Sequence, residues 1–131
     1  MKSNDIDLDD LTFNFTKTRS MYVAKCKLGE EWEIGSIVPF DNLHISPAAG
    51  VLNYGQGLFE GMKAYKWDNG KTVMFRPEKN AERAAKGCSR LSMPEIPMNL
   101  FLDAAKKVVR DNADYIPNTE QGALYVRPII F

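Results

Sequence analysis

The sequence contains one histidine, His44, and two cysteines, Cys26 and Cys88. No serine or cysteine nucleophile pattern accompanies His44, so a histidine-based triad is not indicated and the residue is assigned a structural role. Two cysteines make no disulfide framework, and they stand too far from other ligating residues for a zinc centre. No metal site is therefore expected. Charge of either sign is not in excess, with 17 Lys+Arg against 17 Asp+Glu. A nucleic-acid-binding surface normally brings a basic surplus, and a disordered chain a high net charge. No apolar run approaches the length of a membrane span, so no membrane partner is expected either. Met1 to Asp5 leads into an acidic stretch with neither an apolar signal core nor an Arg-rich transit pattern. Together with the few cysteines, this sets a cytoplasmic expectation.

The chain does have an ample apolar supply: 44% of its 131 residues are hydrophobic. A chain of that size can bury a core without metal or disulfide staples. Residues 1–12 read as a polar lead-in and residues 13–131 as one domain. The last residues, Ile129-Ile130-Phe131, are bulky and apolar where termini are usually polar. This predicts a segment of a longer protein, truncated at its C-terminal end within a buried strand.

Runs rich in β-formers predict strands over Met21 to Leu28 and Trp32 to Phe40, a short one over Asn42 to Ile45, and a final one over Ala123 to Phe131. Asp68-Asn69-Gly70-Lys71 between Ala64–Trp67 and Thr72–Phe75 predicts a hairpin. Pro77 suits a first helical position, and Ala81, Ala84, Ala85, Cys88 and Leu91 recur at helical spacing. A helix follows from about 77 to 91, stopped at Met93-Pro94, and a second runs from about 98 to 113, with Phe101, Ala104, Ala105, Val108 and Val109 on one face. The order predicts an α+β fold, two helices packed on one side of a mainly antiparallel sheet.

Three features invite a chemical reading. Gly55, Gly57 and Gly61 lie in a glycine-rich loop from Gly50 to Gly61, but the spacing is one residue too long for a dinucleotide fingerprint and a strand, not a helix, follows. A tight turn and an apolar pocket lined by Tyr54, Leu58 and Phe59 both remain open. Arg83 borders the apolar stripe of the first predicted helix; it is either a surface arginine or a fork aimed at a phosphate or carboxylate. Arg127 interrupts the most apolar stretch of the chain, sharing a strand face with Tyr125 and Ile129. Such a charge pairs structurally or binds an anion. Pro128 beside it predicts an edge or a bulge.

Taken whole, Gly50 to Tyr65 (GVLNYGQGLFEGMKAY) closely resembles the branched-chain aminotransferases, fold-type IV enzymes that use pyridoxal 5′-phosphate (PLP). Phe75 to Arg83 and Leu124 to Pro128 resemble two further family segments, in the same order. The resemblance spans about Leu11 to Phe131 and corresponds to the small N-terminal domain. It implies that the Schiff-base lysine lies in the C-terminal domain, so no catalytic residue is expected in this chain and the isolated chain should be inactive.

The resemblance also implies roles. Arg83 corresponds to the arginine that binds the PLP phosphate. Phe59 corresponds to a phenylalanine contacting the branched side chain, and Tyr54 to a tyrosine that reaches the neighbouring subunit's site in the family homodimer. Tyr125 orients the substrate carboxylate, with Arg127 beside it. Gly61 joins the substrate site, as does Phe13 at the rim. The implied reaction moves an amino group between leucine, isoleucine or valine and 2-oxoglutarate, in branched-chain amino-acid metabolism. Two other readings stand beside it. One is a related fold-type IV enzyme, a D-amino-acid aminotransferase or an aminodeoxychorismate lyase. The other is a non-catalytic binding or dimerisation module.

Overall fold

The structure is a computed structural model that describes residues 6–8, 12, 14–118 and 122–131. Its elements in chain order are β1 (Ser20–Val23), β2 (Ser36–Pro39), α1 (Gly50–Tyr54), β3 (Leu58–Phe59), β4 (Met62–Lys66), β5 (Thr72–Met74), α2 (Pro77–Arg90), α3 (Met98–Asp111), a single 3-10 turn (Ala113–Tyr115), β6 (Leu124–Val126) and β7 (Ile129–Ile130). The strands form three small sheets, ordered β1-β2, β3-β7 and β5-β4-β6, and every pairing is antiparallel. The α+β class and both long helices agree with expectation.

The hairpin forms as its Asn-Gly predicts. Tyr65 faces Val73 and Lys66 faces Thr72. Gly70 takes the left-handed conformation at φ 77°, and its N–H donates to the Trp67 carbonyl at 2.8 Å. Pro77 opens α2, where a missing N–H is harmless. The buried face of α2 is made of small residues, Ala81, Ala84 and Cys88, so the helix lies close to the strands. Gly87 shows how close: a Cβ there would come within 2.9 Å of Leu58 Cδ2. Helix α3 buries Phe101, Ala105 and Val109, and these join Met62, Ala64, Ile116, Leu124, Val126 and Ile130 in one core.

The sheets are more fragmented than the sequence predicts. The run Met21 to Leu28 ends as a strand at Val23, because the chain turns at Lys27–Glu30, where the Glu30 N–H meets the Lys27 carbonyl at 3.0 Å. The second strand covers only Ser36–Pro39. Asn42 to Ile45 is exposed and pairs with no strand among the described residues. The segment read as loop from Gly50 contains the short helix α1, closed by Gly55 in the left-handed conformation at φ 65°.

The last strand is divided at Arg127-Pro128, yet its register is not. Leu58 and Phe59 face Ile130 and Ile129, while Met62, Lys63 and Ala64 face Val126, Tyr125 and Leu124. One antiparallel register therefore serves both halves, placing Glu60 opposite Pro128 and Gly61 opposite Arg127. Of the edge and the bulge that Pro128 allows, the structure has the edge: β6 is the outer strand of its sheet, β7 lies in a two-stranded one, and no extra residue interrupts the register. Proline has no N–H, so that rung keeps one bond, from the Glu60 N–H to the Pro128 carbonyl at 2.9 Å.

A polar clasp missed in the sequence ties β1 to the end of α3. The Asn112 side chain is 1% exposed. It accepts from the Ser20 N–H at 3.1 Å and donates to the Ser20 carbonyl, the Ser20 hydroxyl and the Val108 carbonyl. Ser20 Oγ also donates to Asp111, and Arg19 reaches the Asp111 carbonyl and the Asp114 carboxylate. Asn112→Ala should strand the Ser20 amide without a buried partner and cost about 1–3 kcal/mol. Urea unfolding of the two proteins checks this; coincident midpoints would mean that Ser20 is satisfied elsewhere.

Candidate active site

Alternation along one continuous ladder sorts the side chains onto two faces. Leu58, Glu60, Met62, Ala64, Leu124, Val126 and Ile130 point toward the helices, while Phe59, Lys63, Tyr65, Tyr125, Arg127 and Ile129 stand on the open face. Phe59 is 65% exposed and Tyr125 51%. The open face thus assembles four of the predicted substrate-site residues, Phe59, Gly61, Tyr125 and Arg127.

Their geometry is specific. Arg127 Nη2 donates to the Tyr125 hydroxyl at 2.9 Å. Its guanidinium carbon lies 4.4 Å from the Phe59 ring centroid and 5.0 Å from that of Tyr125. Two aromatic faces therefore hold the cation by its π-contacts. Arg127 makes no ion pair among the described residues. The structural ion pair considered from the sequence is not what places it. Gly61 matters because the Tyr125 ring crosses directly over it: a Cβ there would collide with the Tyr125 hydroxyl. Beside the cluster lies an open groove of about 270 Å³, whose walls include Val51, Gly57, Phe59, Arg127, Ile129 and Phe131. Its surface is mainly hydrocarbon, with one guanidinium at the edge.

Arg83 belongs to a second cluster, tied to the helix-packed side of the same ladder. Its Nε donates to Glu60 Oε1 at 2.6 Å and its Nη2 to Glu60 Oε2 at 2.7 Å. Asn80 donates to Glu60 Oε2 at 2.9 Å and to the Gly61 carbonyl at 3.1 Å. The Glu60 side chain is 3% exposed and that of Arg83 72%. The hydrogen bonds from Arg83 hold the Glu60 carboxyl below the usual carboxylate range, against the upward push of burial. The same partner raises the Arg83 guanidinium. Arg83 spends two of its five N–H groups on Glu60; the other three face outward.

Tyr54 is not brought to either cluster. It ends α1, is 88% exposed, and its hydroxyl has no hydrogen-bond partner among the described residues. Phe13 lies outside the described residues. His44 is exposed, and no hydrogen bond or ion pair of its side chain occurs among the described residues. Cys88 is a core thiol, pushed up by burial, and Cys26 is half-buried. No group of three or more potential metal ligands occurs among the described residues. Sequence reasoning missed Glu60 and Asn80. The signal was available for Glu60, since it shares the buried parity of Leu58 and Met62.

The chain is similar over almost all its length to plant aminotransferases. It is 48% identical over 126 residues to a branched-chain amino acid aminotransferase of Humulus lupulus named chloroplastic, covering 96% of the chain and 31% of the relative. It is 44% identical over 130 residues to a methionine aminotransferase of Arabidopsis thaliana, covering 99% and 37%. It is 39% identical over 127 residues to a mitochondrial branched-chain-amino-acid aminotransferase of Arabidopsis thaliana, covering 97% and 33%. These proteins are homologues of the chain, which spans about a third of their length. No protein-family model matches. The names also correct the cytoplasmic expectation, because relatives of this similarity are assigned to chloroplast and mitochondrion. Scarce cysteines report on redox conditions, not on a particular compartment.

Two predictions follow from the geometry. Gly61→Ala should push the Tyr125 ring aside and break its bond to Arg127. Near-UV circular dichroism should change while the far-UV spectrum is kept; an unchanged near-UV spectrum would remove Gly61 as the cause of the ring's position. The Glu60 pairing should appear in the pH dependence of stability. Its folded pKa is lowered, so its contribution is complete above the unfolded value of about 4.3 and fades as pH falls through the folded value. The stability difference between wild type and Glu60→Gln, followed by denaturant unfolding from pH 7 downward, should shrink below about pH 4. A pH-independent difference would mean that the Glu60 charge is not what matters.

Proposed function

We propose that the chain is the substrate-contacting and cofactor-phosphate-contacting part of a PLP-dependent aminotransferase acting on branched-chain amino acids and 2-oxoglutarate. The observation that carries this reading is the open-face cluster: an arginine with no carboxylate partner among the described residues, walled by Phe59 and Tyr125, at the edge of a hydrocarbon groove. A transaminase of this kind accepts two unlike side chains in turn. The groove beside Phe59 suits leucine, isoleucine and valine. Arg127, and the Tyr125 hydroxyl that it supports, suit a carboxylate at the rim.

Arg83 fits a phosphate ligand, because its three uncommitted N–H groups are exposed and its fork matches phosphate geometry. PLP, when bound, supplies the electron-withdrawing chemistry of amino transfer. The residues of this chain bind and orient: Arg83 holds the phosphate, Tyr125 the substrate carboxylate, and Phe59 excludes water from the hydrocarbon side chain. The Schiff-base lysine lies outside these residues in this reading, so the chain alone does not turn over. Tyr54, exposed and outside the lining of the groove, serves the site of a second subunit in a homodimer.

A second reading is favoured by the methionine aminotransferase among the relatives. An open apolar groove admits an unbranched thioether as readily as a branched alkyl group. Comparing kcat/KM for leucine and methionine in the full-length protein separates the two.

The main test is Arg127→Met in the full-length protein, with each half-reaction followed in single turnover. Only glutamate brings a side-chain carboxylate to the groove, so its rate should fall roughly tenfold to a hundredfold, the worth of one charge-assisted hydrogen bond. Leucine should lose less. Equal losses would make Arg127 a support for Tyr125 rather than a ligand.

A further inference from the structure

Among the described residues, Glu60 is the one buried side chain that carries a charge. A buried carboxylate is unfavourable unless paired, and this one is paired on both oxygens. The positions sharing its face, Leu58, Met62 and Ala64, are apolar. Glu60 also sits at the rung opposite Pro128, where its own N–H bonds the proline carbonyl and fixes its backbone. Both carboxylate oxygens lie along one edge of Arg83, and Asn80 anchors the second of them from the same helix, so the carboxylate is itself held.

That arrangement determines how Arg83 presents itself. Arginine is a flexible stem ending in a rigid planar fork. With Nε and one Nη2 proton committed to Glu60, the opposite edge, Nη1 and the second Nη2 proton, is turned outward as a matched pair of donors. Resting on the reading of Arg83 as the PLP-phosphate ligand, we infer that Glu60, steadied by Asn80, is the positioning residue of the phosphate site. It fixes the plane of the guanidinium before the phosphate arrives, so binding loses less side-chain freedom. The opposing effect is repulsion between the carboxylate and the phosphate. The two effects differ in sign, and an affinity measurement reads which prevails.

The test uses apoprotein of full length, titrated with PLP and, separately, with pyridoxal, which lacks the phosphate. Glu60→Gln should weaken PLP about tenfold, on the order of one charge-assisted hydrogen bond, and leave pyridoxal affinity unchanged. Asn80→Ala keeps the ion pair but loosens the carboxylate; it should show the same phosphate-selective pattern at a few-fold, and it serves if Glu60→Gln folds poorly. In an Arg83→Ala background, Glu60→Gln should add nothing. Tighter PLP binding in Glu60→Gln would overturn the inference in favour of repulsion. Equal losses for PLP and pyridoxal, or an undiminished loss without Arg83, would overturn it in favour of a general structural role. If Arg83→Ala itself leaves PLP affinity unchanged, the phosphate reading of Arg83 falls first, and the role of Glu60 falls with it.

Discussion

The uninterrupted register between Leu58–Ala64 and Leu124–Ile130 is the constraint on which the rest depends. With β3 and β4 held in place, a shift of the partner strand by one residue would turn Tyr125 and Arg127 toward the core and expose Val126 and Ile130. The break at Arg127-Pro128 does not relax it. Pro128 removes one hydrogen bond from the ladder, but the Glu60 N–H keeps the other, and the strands resume in step on either side. The core beneath joins the small residues of α2 and the Phe101 and Val109 side chains of α3 to Met62, Ala64, Leu124, Val126 and Ile130 of the strands.

Two clusters of unlike character grow from the same ladder. On the open face, a cation is held by aromatic rings and a hydroxyl, with no carboxylate among the described residues to neutralise it. On the helix side, a cation is held by a buried carboxylate that leaves half its fork free. The first is suited to an anion that comes and goes beside hydrocarbon. The second is suited to an anion that stays. Consecutive residues, Phe59 and Glu60, serve the two clusters because neighbours on a strand face opposite ways.

Much of this was legible beforehand. Helical spacing marked both long helices, Asn69-Gly70 marked the hairpin, and alternation put Tyr125, Arg127 and Ile129 on one face. The strand ends were less legible, because a β-prone run such as Met21 to Leu28 becomes a strand only where a partner lies alongside. Helix α1 was hidden by its glycines, which suggest a loop until Gly55 is seen to close the turn. At the site, Arg83 and Arg127 stood out as charges in apolar surroundings. Glu60 did not, although it shares the parity of Leu58 and Met62, because which parity is buried is set by a register between segments 60 to 72 positions apart. The clasp between Ser20 and Asn112 was hidden for the same reason.

The alternation along β3 and β4 has a consequence for how such a protein can diverge. Odd-numbered positions from Phe59 to Tyr65 stand on the open face, and even-numbered ones from Leu58 to Ala64 face the helices. A change at an odd position alters the open face and leaves the helix packing untouched, and a change at Glu60, Met62 or Ala64 does the reverse. Leu58 belongs to both, packed against the core and lining the groove. Open face and packing can therefore drift along largely separate sets of codons interleaved in one short stretch of gene. Gly61 is the exception, an odd position kept free of a side chain because a neighbour's ring already fills the space.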